Sequence, residues 1–382
     1  MSERAQAGRA EAPLRYVLLG GAATIAKAHT EAISEIPGAV LVGMCDIDRA
    51  RGESRAREAR CAFFADHRAL LAELRPDAAV ICTPHPLHAP QAKDCLAEGA
   101  HVLVEKPLAI DVADGDELVR FAEERERVLA VNFQERFRPA VERARAFIGR
   151  GELGAMVRVL AVESRIRNAA YYRSASWRGT WQGEGGGVLV NQAQHALDVL
   201  CHVAGMPSRV WGVTRTRLHA MECEDTAHAM LEYEGGAIGY VTVSTAEAGA
   251  ASGLEIVGDR AVLKLTGDEL TVVRLETPLG EHIAADRAPL GLGTERAAIF
   301  ARSRGHVAVH EDFAAAIRHG KRPRCDGHDG LMSLELANAI TLSSLRDRAV
   351  ALPLDRAAYS TLLDDLRAGR AAVPRSRSRT SG

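Results

Sequence analysis

The sequence has few aromatic residues, no long apolar run and almost no net charge. Aromatic side chains make up 4% of its 382 residues. No stretch of 18 or more apolar residues occurs, which argues against a membrane-spanning helix. The 48 basic and 50 acidic residues nearly cancel, so the net charge of −2 does not favour a nucleic acid or a membrane surface as a partner. The composition favours a small-molecule partner instead.

Cysteine usage gives no sign of a disulfide framework. The seven cysteines include no CxxC pair. Cys45 and Cys82 end apolar runs, where a small buried thiol is the usual interpretation. The N-terminal stretch lacks the apolar core of a signal peptide, and we expect residues 1–13 to be a disordered leader. Together these features predict a cytoplasmic protein.

Residues 14–133 alternate between apolar runs and helical patterns. Runs such as Val40–Cys45 and His101–Val104 are apolar almost throughout, as expected of strands buried on both faces. Helical patterns separate these runs, which predicts a doubly wound parallel sheet of the Rossmann type, an α/β fold. A chain of 382 residues is long for a single core, so a second domain is expected.

The pattern changes in the second part of the chain, where strand-like runs follow one another beyond Gly151 with few helices between them. A helix is predicted within this part at Asn191–Ala204, and others return at Val309–His319 and Gly330–Leu345. We expect residues 134–370 to form an α+β domain on a large, mostly antiparallel sheet. The basic, Ser-rich residues 371–382 are expected to be a disordered tail.

A glycine-containing loop follows the first predicted strand. Gly21–Ala26 aligns as G-x-A-x-x-A with the dinucleotide-binding pattern G-x-G-x-x-G. Gly21 suits the tight turn, whereas the methyl group of Ala23 would crowd a pyrophosphate. The helix that follows offers backbone N–H groups and its positive end to phosphates. The residues expected to bind a cofactor here are Gly21, Ala22, Ala23, Thr24 and Ile25.

An aspartate at the end of the second predicted strand supports the same site. Asp46 lies 20 residues after Ala26, where a carboxylate can bind the ribose hydroxyls of a dinucleotide. The same charge would repel a 2′-phosphate, and Ile47 offers no compensating cation, so NAD is favoured over NADP. The alternative is that Asp46 caps a helix, a role for which Asp48 is better placed.

Three further motifs follow in order along the chain. They are Thr83-Pro-His-Pro-Leu-His88, Glu105-Lys-Pro107, and Gly185-Gly-Gly-Val-Leu-Val-Asn-Gln-Ala-Gln-His195. In combination they make the chain resemble the family of glucose–fructose oxidoreductase, inositol dehydrogenase and MocA, here the Gfo/Idh/MocA family. The resemblance extends from about Leu14 to Leu366.

This resemblance implies hydride transfer between NAD and a secondary alcohol of a sugar, a nucleotide sugar or a cyclitol. Members of the family manage this transfer without a metal ion, and His85 and His88 have no carboxylate partner at suitable spacing, so no metal site is expected. In relatives the sheet of the second domain packs between subunits, which implies a homodimer or homotetramer.

Lys106, His195 and Asn191 are the candidate catalytic residues. A lysine after a buried strand can hydrogen-bond a substrate hydroxyl and polarise it, or it can simply pair with Glu105. His195 and Asn191 are four apart on the predicted helix and so share one face, although His195 could also serve domain packing. Relatives commonly have aspartate at position 191, and Asn191 cannot share a proton, so the division of labour stays open. We assign His195 as general base in the oxidative direction and Lys106 as polarising donor.

The remaining expected contacts surround these motifs. His88 could face the nicotinamide or could pack against its own helix, whereas His85 is interpreted as a loop residue. Trp177 and Arg178 suit stacking on a sugar or binding a phosphate or carboxylate. Gln134 and Arg136 resemble family positions near the nicotinamide, or could form hydrogen bonds in a domain linker. The expected cofactor contacts are Thr83, Pro84, His88, Glu105, Lys106 and Gln134; the expected substrate contacts are Lys106, Arg136, Trp177, Arg178, Asn191 and His195.

Two other functions are compatible with the sequence. One is a glycoside hydrolase that uses NAD transiently and produces no net redox change, which sugar release without accumulation of NADH would identify. The other is a non-catalytic NAD- or sugar-binding protein, in which Lys106 and His195 would be superfluous.

Overall fold

The computed structural model describes residues 12–285, 290–298 and 303–375. Most of the expected leader (residues 1–11) and of the expected tail (residues 376–382) lies outside the described residues. Within the described part, no helix is both long enough and apolar enough to cross a membrane. The expected fold class is confirmed, because the chain contains one parallel and one mostly antiparallel sheet, each packed with helices.

Six parallel strands form the first sheet, in the order β3-β2-β1-β4-β5-β6. The order reverses at β1, where open α/β sheets bind ligands at the carboxyl ends of the strands. Buried residues dominate β1 and β4, as helices covering both faces require. The strands are β1 (Leu14–Leu19), β2 (Ala39–Cys45), β3 (Ala62–Phe64), β4 (Ala78–Ile81), β5 (His101–Val104) and β6 (Leu129–Val131).

The helices between these strands begin in two different ways. They are α1 (Ala26–Glu35), α2 (Arg49–Ala59), α3 (His67–Leu74), α4 (His88–Ala97) and α5 (Val112–Glu124). The side chains of Asp48, Asp66 and Asp111 cap α2, α3 and α5. In contrast, no described side chain caps α1 at Ile25. At this end the Ala26 N–H donates to the oxygen of Ala23 and the Ala28 N–H donates to the oxygen of Ile25. No described side chain therefore covers the positive end of α1.

Nine strands form the second sheet, in the order β14-β13-β12-β11-β7-β10-β9-β8-β15. Of the described strand pairs in this sheet, β7 and β10 are parallel and the others are antiparallel. The strands are β7 (Met156–Ser164), β8 (Arg209–Arg215), β9 (Thr226–Glu232), β10 (Ile238–Ser244), β11 (Gly253–Gly258), β12 (Ala261–Thr266), β13 (Glu269–Leu275), β14 (Leu292–Ala298) and β15 (Val350–Ala351).

The later helices include one that packs against elements of both domains. They are α6 (Pro139–Gly149), α7 (Ala169–Arg173), α8 (Gln194–Ala204), α9 (Leu279–Ala284), α10 (His306–His319), α11 (Gly327–Arg346) and α12 (Arg356–Arg367). α11 packs against β8 and α8 on one side and against α5 and β6 on the other, while α10 packs on α1. The C-terminal helices α10 and α11 therefore pack back onto the first domain.

One predicted helix starts later than expected. The helix predicted at Asn191–Ala204 begins at Gln194. Before it lies a turn in which the Asn191 N–H donates to the oxygen of Gly187 and the Ala193 N–H donates to the oxygen of Val188. The expectation that Asn191 and His195 share one helical face is therefore wrong, because only His195 belongs to the helix.

Candidate active site

The loop after β1 turns at Gly20, one residue earlier than expected. Gly20 has a φ of +84°, and a β-carbon there would lie 2.7 Å from the carbonyl carbon of Cys82. A side chain is therefore excluded at Gly20 on both conformational and steric grounds. A β-carbon at Gly21 would instead meet only the flexible side chain of Met44. Residues 22–25 then lead directly into the uncapped start of α1.

Asp46 fastens this loop from the end of β2. Its Oδ2 accepts a hydrogen bond from the Ala22 N–H at 2.8 Å, and its Oδ1 accepts one from the Asp48 N–H at 2.8 Å. Each oxygen keeps a further lone pair for a ribose hydroxyl. Arg51 Nη2 donates to the carbonyl oxygen of Ala22 at 2.8 Å. The guanidinium of Arg51 therefore lies beside the loop. The sequence analysis considered only Ile47 for a cation that could compensate a 2′-phosphate.

His88 lies inside the first domain. It is 1% exposed; its Nδ1 lies 2.7 Å from the carbonyl oxygen of Pro107 and its Nε2 lies 2.8 Å from that of Thr83. Burial is the main cause that lowers the pKa of His88. Each ring nitrogen thus faces a backbone carbonyl oxygen, and a neutral imidazole, which has a single N–H, donates to one of them. These contacts agree with the packing alternative, and a contact of His88 with the nicotinamide stays a prediction. Thr83, whose hydroxyl donates to Gln91, and Pro84 stay at the end of β4 as expected.

Lys106 lies half-buried at the end of β5 and reaches across the cleft. Its Nζ donates to the backbone oxygen of Asn191 at 2.8 Å and lies 3.4 Å from Asn191 Oδ1. Burial is the main cause that lowers the pKa of Lys106, while the negative charges of Glu105 and Glu184 oppose this shift. An ammonium group has three N–H bonds, so one remains for a substrate oxygen.

His195 lies in the first turn of α8, beside Gln134. Its Nε2 is 3.3 Å from Gln134 Nε2, and its Nδ1 is buried without a hydrogen-bond partner among the described residues. Burial, followed by the positive charge of Lys106, lowers the pKa of His195 to about 3. The imidazole is therefore neutral near pH 7.

Arg136 does not lie in the cleft. It is 1% exposed, and its guanidinium binds the carboxylate of Asp198 with Nη2–Oδ1 and Nε–Oδ2 distances of 2.6 and 3.0 Å. Its Nη1 lies 2.9 Å from Asp329 Oδ1. Arg136 is thus a buried partner of two carboxylates, which corrects its expected role as a substrate contact.

The segment before the glycine run forms one wall of the cleft. The hydroxyl oxygen of Tyr171 accepts hydrogen bonds from Arg178 Nη1, Asn191 Nδ2 and Gln192 Nε2. The Arg178 guanidinium stacks over the rings of Tyr171 and Trp177, at 4.3 and 4.6 Å from their centroids. The structure therefore brings Trp177, Arg178 and Asn191 together, as expected, and adds Tyr171 and Gln192.

Two residues near Lys106 were missed by the sequence interpretation. His85 is buried, with its ring centroid 5.2 Å from that of Trp177 and its Nδ1 3.1 Å from the carbonyl oxygen of Glu184. Glu184 is 1% exposed, and its carboxylate accepts hydrogen bonds from Asn191 Nδ2 and the Gly179 N–H. The available signals were a histidine between two prolines and an acidic residue directly before a glycine run.

A cluster of histidines lies behind the Glu105-Lys-Pro motif. Glu105 Oε1 is 3.0 Å from His29 Nε2 and 3.7 Å from His306 Nε2, and these three groups are close enough to hold a metal ion. His310 Nε2 lies 2.9 Å from His29 Nδ1, and Asn132 Nδ2 donates to Glu105 Oε1 at 2.6 Å. These hydrogen bonds engage both nitrogens of His29, and the absence of a bound metal remains a prediction. Sequence spacing could not reveal a cluster drawn from α1, the residue after β5 and α10.

Two family models match the chain. The model described as an oxidoreductase family with an NAD-binding Rossmann fold matches residues 14–133. The model of the GFO/IDH/MocA C-terminal domain matches residues 141–264. Together they span more than half of the 382 residues. The chain belongs to the Gfo/Idh/MocA family. The resemblance drawn from the motifs is confirmed.

Individual relatives are similar over most of their length. The D-apiose dehydrogenase of Paraburkholderia graminis is 26% identical over 347 residues, which are 87% of this chain and 88% of that protein. The uncharacterized oxidoreductase YrbE of Bacillus subtilis is 24% identical over 84% of this chain and 91% of its own. The WlbA dehydrogenase from Bordetella pertussis, solved with NADH and UDP-GlcNAcA, has a TM-score of 0.78 at 27% identity, covering 90% of this chain and 100% of that one. This Gfo/Idh/MocA member is therefore an oxidoreductase with an NAD-binding domain.

Proposed function

We propose that the protein is an NAD-dependent dehydrogenase that transfers a hydride between nicotinamide and a secondary alcohol of a sugar, a nucleotide sugar or a cyclitol. The observation that carries this proposal is that two groups lie just beyond the carboxyl ends of neighbouring parallel strands: Lys106, bound to Asn191 after β5, and His195, beside Gln134 after β6. The relatives support the substrate class, since one is a D-apiose dehydrogenase and another was solved with UDP-GlcNAcA.

The loop after β1 fits a dinucleotide. The turn at Gly20 and the uncapped start of α1 would hold the pyrophosphate, and Asp46 would accept the ribose hydroxyls. Because Asp46 would also repel a 2′-phosphate, we favour NAD over NADP despite the nearby Arg51. The bound nicotinamide supplies the hydride acceptor for oxidation and the donor for reduction.

Lys106 and His195 act on the substrate oxygen in this proposal. The free N–H of the Lys106 ammonium donates to that oxygen and stabilises its growing negative charge as the carbon–hydrogen bond breaks. The neutral His195 takes the hydroxyl proton, so the alcohol loses a hydride and a proton and becomes a ketone. In the reverse direction His195 returns the proton.

The low pKa of His195 makes it a weak base before substrate binds. Part of this shift comes from the positive charge of Lys106, which repels a second positive charge on the imidazole. A substrate oxygen that becomes negative beside Lys106 would offset this repulsion. Proton transfer to His195 is then easiest when charge develops on the oxygen.

The opposite wall of the cleft would select the substrate. The indole of Trp177 and the guanidinium of Arg178 present flat surfaces suited to a sugar ring, and Gln192 and Tyr171 offer polar atoms to its hydroxyls. His85, packed against Trp177, would support this surface from the first domain.

We also propose that the protein is a cytoplasmic homodimer or homotetramer. All seven cysteines are free thiols, which suits a reducing compartment. The outer faces of β8, β9 and β10 expose Trp211, Val213, Met230 and Tyr240, between 38% and 49% exposed. A second copy of the same sheet would cover this apolar patch.

The test is a panel of sugars, cyclitols and nucleotide sugars assayed for NADH formation. Lys106→Ala and His195→Ala should abolish turnover while NAD binding persists. Lys93→Ala is a matched control, because Lys93 on α4 pairs with Glu117 on α5 and should leave turnover unchanged. Turnover that survives both active-site changes would refute the residue assignment. Sugar release without NADH would instead support the hydrolase alternative.

A further inference from the structure

A buried carboxylate is hydrogen-bonded to Asn191, the residue that binds the amine of Lys106. Glu184 sits directly before the glycine run and is 1% exposed. Its Oε1 accepts a hydrogen bond from Asn191 Nδ2, and its Oε2 accepts one from the Gly179 N–H. The same Asn191 presents its Oδ1 to Lys106 Nζ at 3.4 Å. The amide of Asn191 therefore connects the cation of Lys106 with the anion of Glu184.

The two charges dictate the orientation of the amide. An ammonium group can only donate hydrogen bonds, and an ionised carboxylate can only accept them. The Asn191 side chain satisfies both partners only with its oxygen toward Lys106 and its nitrogen toward Glu184. A flip of the amide would place donor against donor and acceptor against acceptor. Lys106 and Glu184 thus require the same orientation of the amide, and Glu184 reinforces the one that turns the Asn191 oxygen toward the amine.

We infer that Glu184 is a positioning residue for Lys106, acting through Asn191 to orient the amine and to supply the negative charge that stabilises its protonated form in the cleft. This inference rests on the proposed dehydrogenase function. The side chain of Asn191 carries no charge of its own, and Glu184 supplies a charge one hydrogen bond further away.

The other charged groups near these three residues have separate partners or the wrong sign. Glu105, the other carboxylate beside Lys106, accepts hydrogen bonds from His29, Asn132 and the Lys106 backbone N–H on the opposite side. Glu184 reaches Lys106 instead from the second domain, through Asn191. Among the described residues, the other charged or titratable groups that face Lys106 or Glu184 are Arg165, Arg178, His85, His88, Tyr172, His195, Cys223 and Glu224.

The ionisation of Glu184 responds to the same surroundings. Burial is the main cause that raises its pKa, while the hydrogen bonds from Gly179 and Asn191 and the positive charges of Arg178 and Lys106 oppose the shift. Lys106 in turn has its pKa lowered by burial and raised by Glu105 and Glu184. Each of the two groups therefore stabilises the charged form of the other.

Replacing Glu184 with glutamine removes the charge and keeps the shape. Without the nearby anion the protonated amine is less stable, so the pKa of Lys106 should fall. Adding Asn191→Asp to Glu184→Gln places a carboxylate directly against Nζ and should raise this pKa again. A purely structural role for Glu184 would not be rescued by a charge on a different residue.

The ionisation of Lys106 can be measured without turnover. Trace acetylation with acetic anhydride across a pH series, quantified by mass spectrometry, reports the free-amine fraction of Lys106, with the exposed Lys264 as internal reference. Glu184→Gln should move the labelling curve of Lys106 to lower pH, and Glu184→Gln/Asn191→Asp should move it back. Glu222→Gln is the matched control, since this carboxylate binds the Trp181 N–H of the same segment and should leave the curve in place.

The possible results separate clearly. An unshifted curve in a folded Glu184→Gln protein overturns the inference, as does a shift that Asn191→Asp fails to reverse. If Glu184→Gln does not fold, Asn191→Asp alone must move the curve to higher pH, and an unshifted curve then overturns the inference. Failure of the proposed function is a different result, namely no NADH formation by the wild type on any substrate of the panel.

Discussion

Lys106 is anchored by the backbone of Asn191, with its Nζ 2.8 Å from the carbonyl oxygen, and not only by the Asn191 side chain. No substitution at position 191 removes that oxygen. The backbone oxygen therefore fixes where the amine lies. We expect the Asn191 side chain, held by Glu184, to orient the amine, and the charge of Glu184 to stabilise its protonated form. Substitutions of Lys106 itself can separate hydrogen-bond donation from proton transfer.

Lys106→Arg and Lys106→Met should differ in activity. Arginine can donate to a substrate oxygen but does not deprotonate in proteins, whereas methionine can do neither. If Lys106 acts as polarising donor, Lys106→Met should lose about 10²–10³-fold in kcat, and Lys106→Arg should keep part of the activity. Single-turnover NADH formation with NAD-saturated enzyme measures this directly. Equal inactivity of the two variants, with NAD binding intact, would assign the proton transfer to Lys106.

His195 should not produce an acidic limb in the neutral range. Its pKa is lowered to about 3, so the ring remains uncharged, and able to accept a proton, at every pH well above that value. In the oxidative direction, kcat/KM should therefore show no loss from His195 protonation between about pH 8 and pH 5. A pH profile of the wild type tests this. A limb near pH 6.5 that disappears in His195→Gln would contradict it.

The choice between NAD and NADP should depend on Asp46 and Arg51 together. Asp46 accepts from the Ala22 N–H, and Arg51 donates to the Ala22 carbonyl oxygen on the same loop. Asp46→Ala should weaken NAD binding and strengthen NADP binding, since it removes the repulsion of a 2′-phosphate and leaves the cation of Arg51. Adding Arg51→Ala should reverse the gain for NADP only. Titration calorimetry with both cofactors measures these effects, and unchanged NADP affinity in Asp46→Ala would refute the assignment.

The Arg136–Asp198 pair should contribute to stability and not to substrate binding. Arg136→Met leaves the fully buried Asp198 without its main partner, which should cost about 3–5 kcal/mol in the free energy of unfolding. Burial already raises the pKa of Asp198 to about 6, and loss of Arg136 should raise it further. A carboxyl with a raised pKa is destabilising once it ionises, so the deficit should grow from about pH 5 to pH 8.

Denaturant unfolding at the two pH values tests this prediction. Arg136→Met/Asp198→Leu is the matched control, because it removes both charges and should recover a substantial part of the loss. A deficit that stays constant with pH, or a double variant as unstable as the single one, would contradict the account. If Arg136→Met changes KM without changing the free energy of unfolding, Arg136 binds the substrate after all.

The sequence predicts the parallel sheet well because its strands are continuous apolar runs. β5, for example, has the predicted bounds His101–Val104. Short or partly exposed strands give a weaker signal, and the three-residue β3, Ala62–Phe64, was missed. The start of α8 was misplaced because the turn before it already has helix-like hydrogen bonds. Local patterns thus determine the interior strands better than the element ends.

The sequence predicts the motif residues of the candidate site, but not the residues that contact them from distant parts of the chain. Lys106 and Asn191 meet across the cleft as motif residues, but His85 reaches the carbonyl oxygen of Glu184 only when the two domains come together. Glu184 meets Asn191 within the second domain, through a loop whose fold the sequence pattern does not predict. Arg136 was misplaced for a related reason. A sequence shows that an arginine follows a strand, but not that Asp198 lies beside it in the interior.

Trp211 should be part of a subunit interface. The strands β8, β9 and β10 alternate between buried and exposed residues, and the exposed ones form the apolar patch on the face away from α11. Trp211→Glu places a charge in that patch and should lower the molecular mass measured by light scattering to that of a monomer of 41.0 kDa. Ile283→Glu is the matched control, since Ile283 is 79% exposed on α9, outside the patch, and should leave the mass unchanged. A wild type that is already monomeric, or an oligomer that survives Trp211→Glu, would rule out this face as the interface.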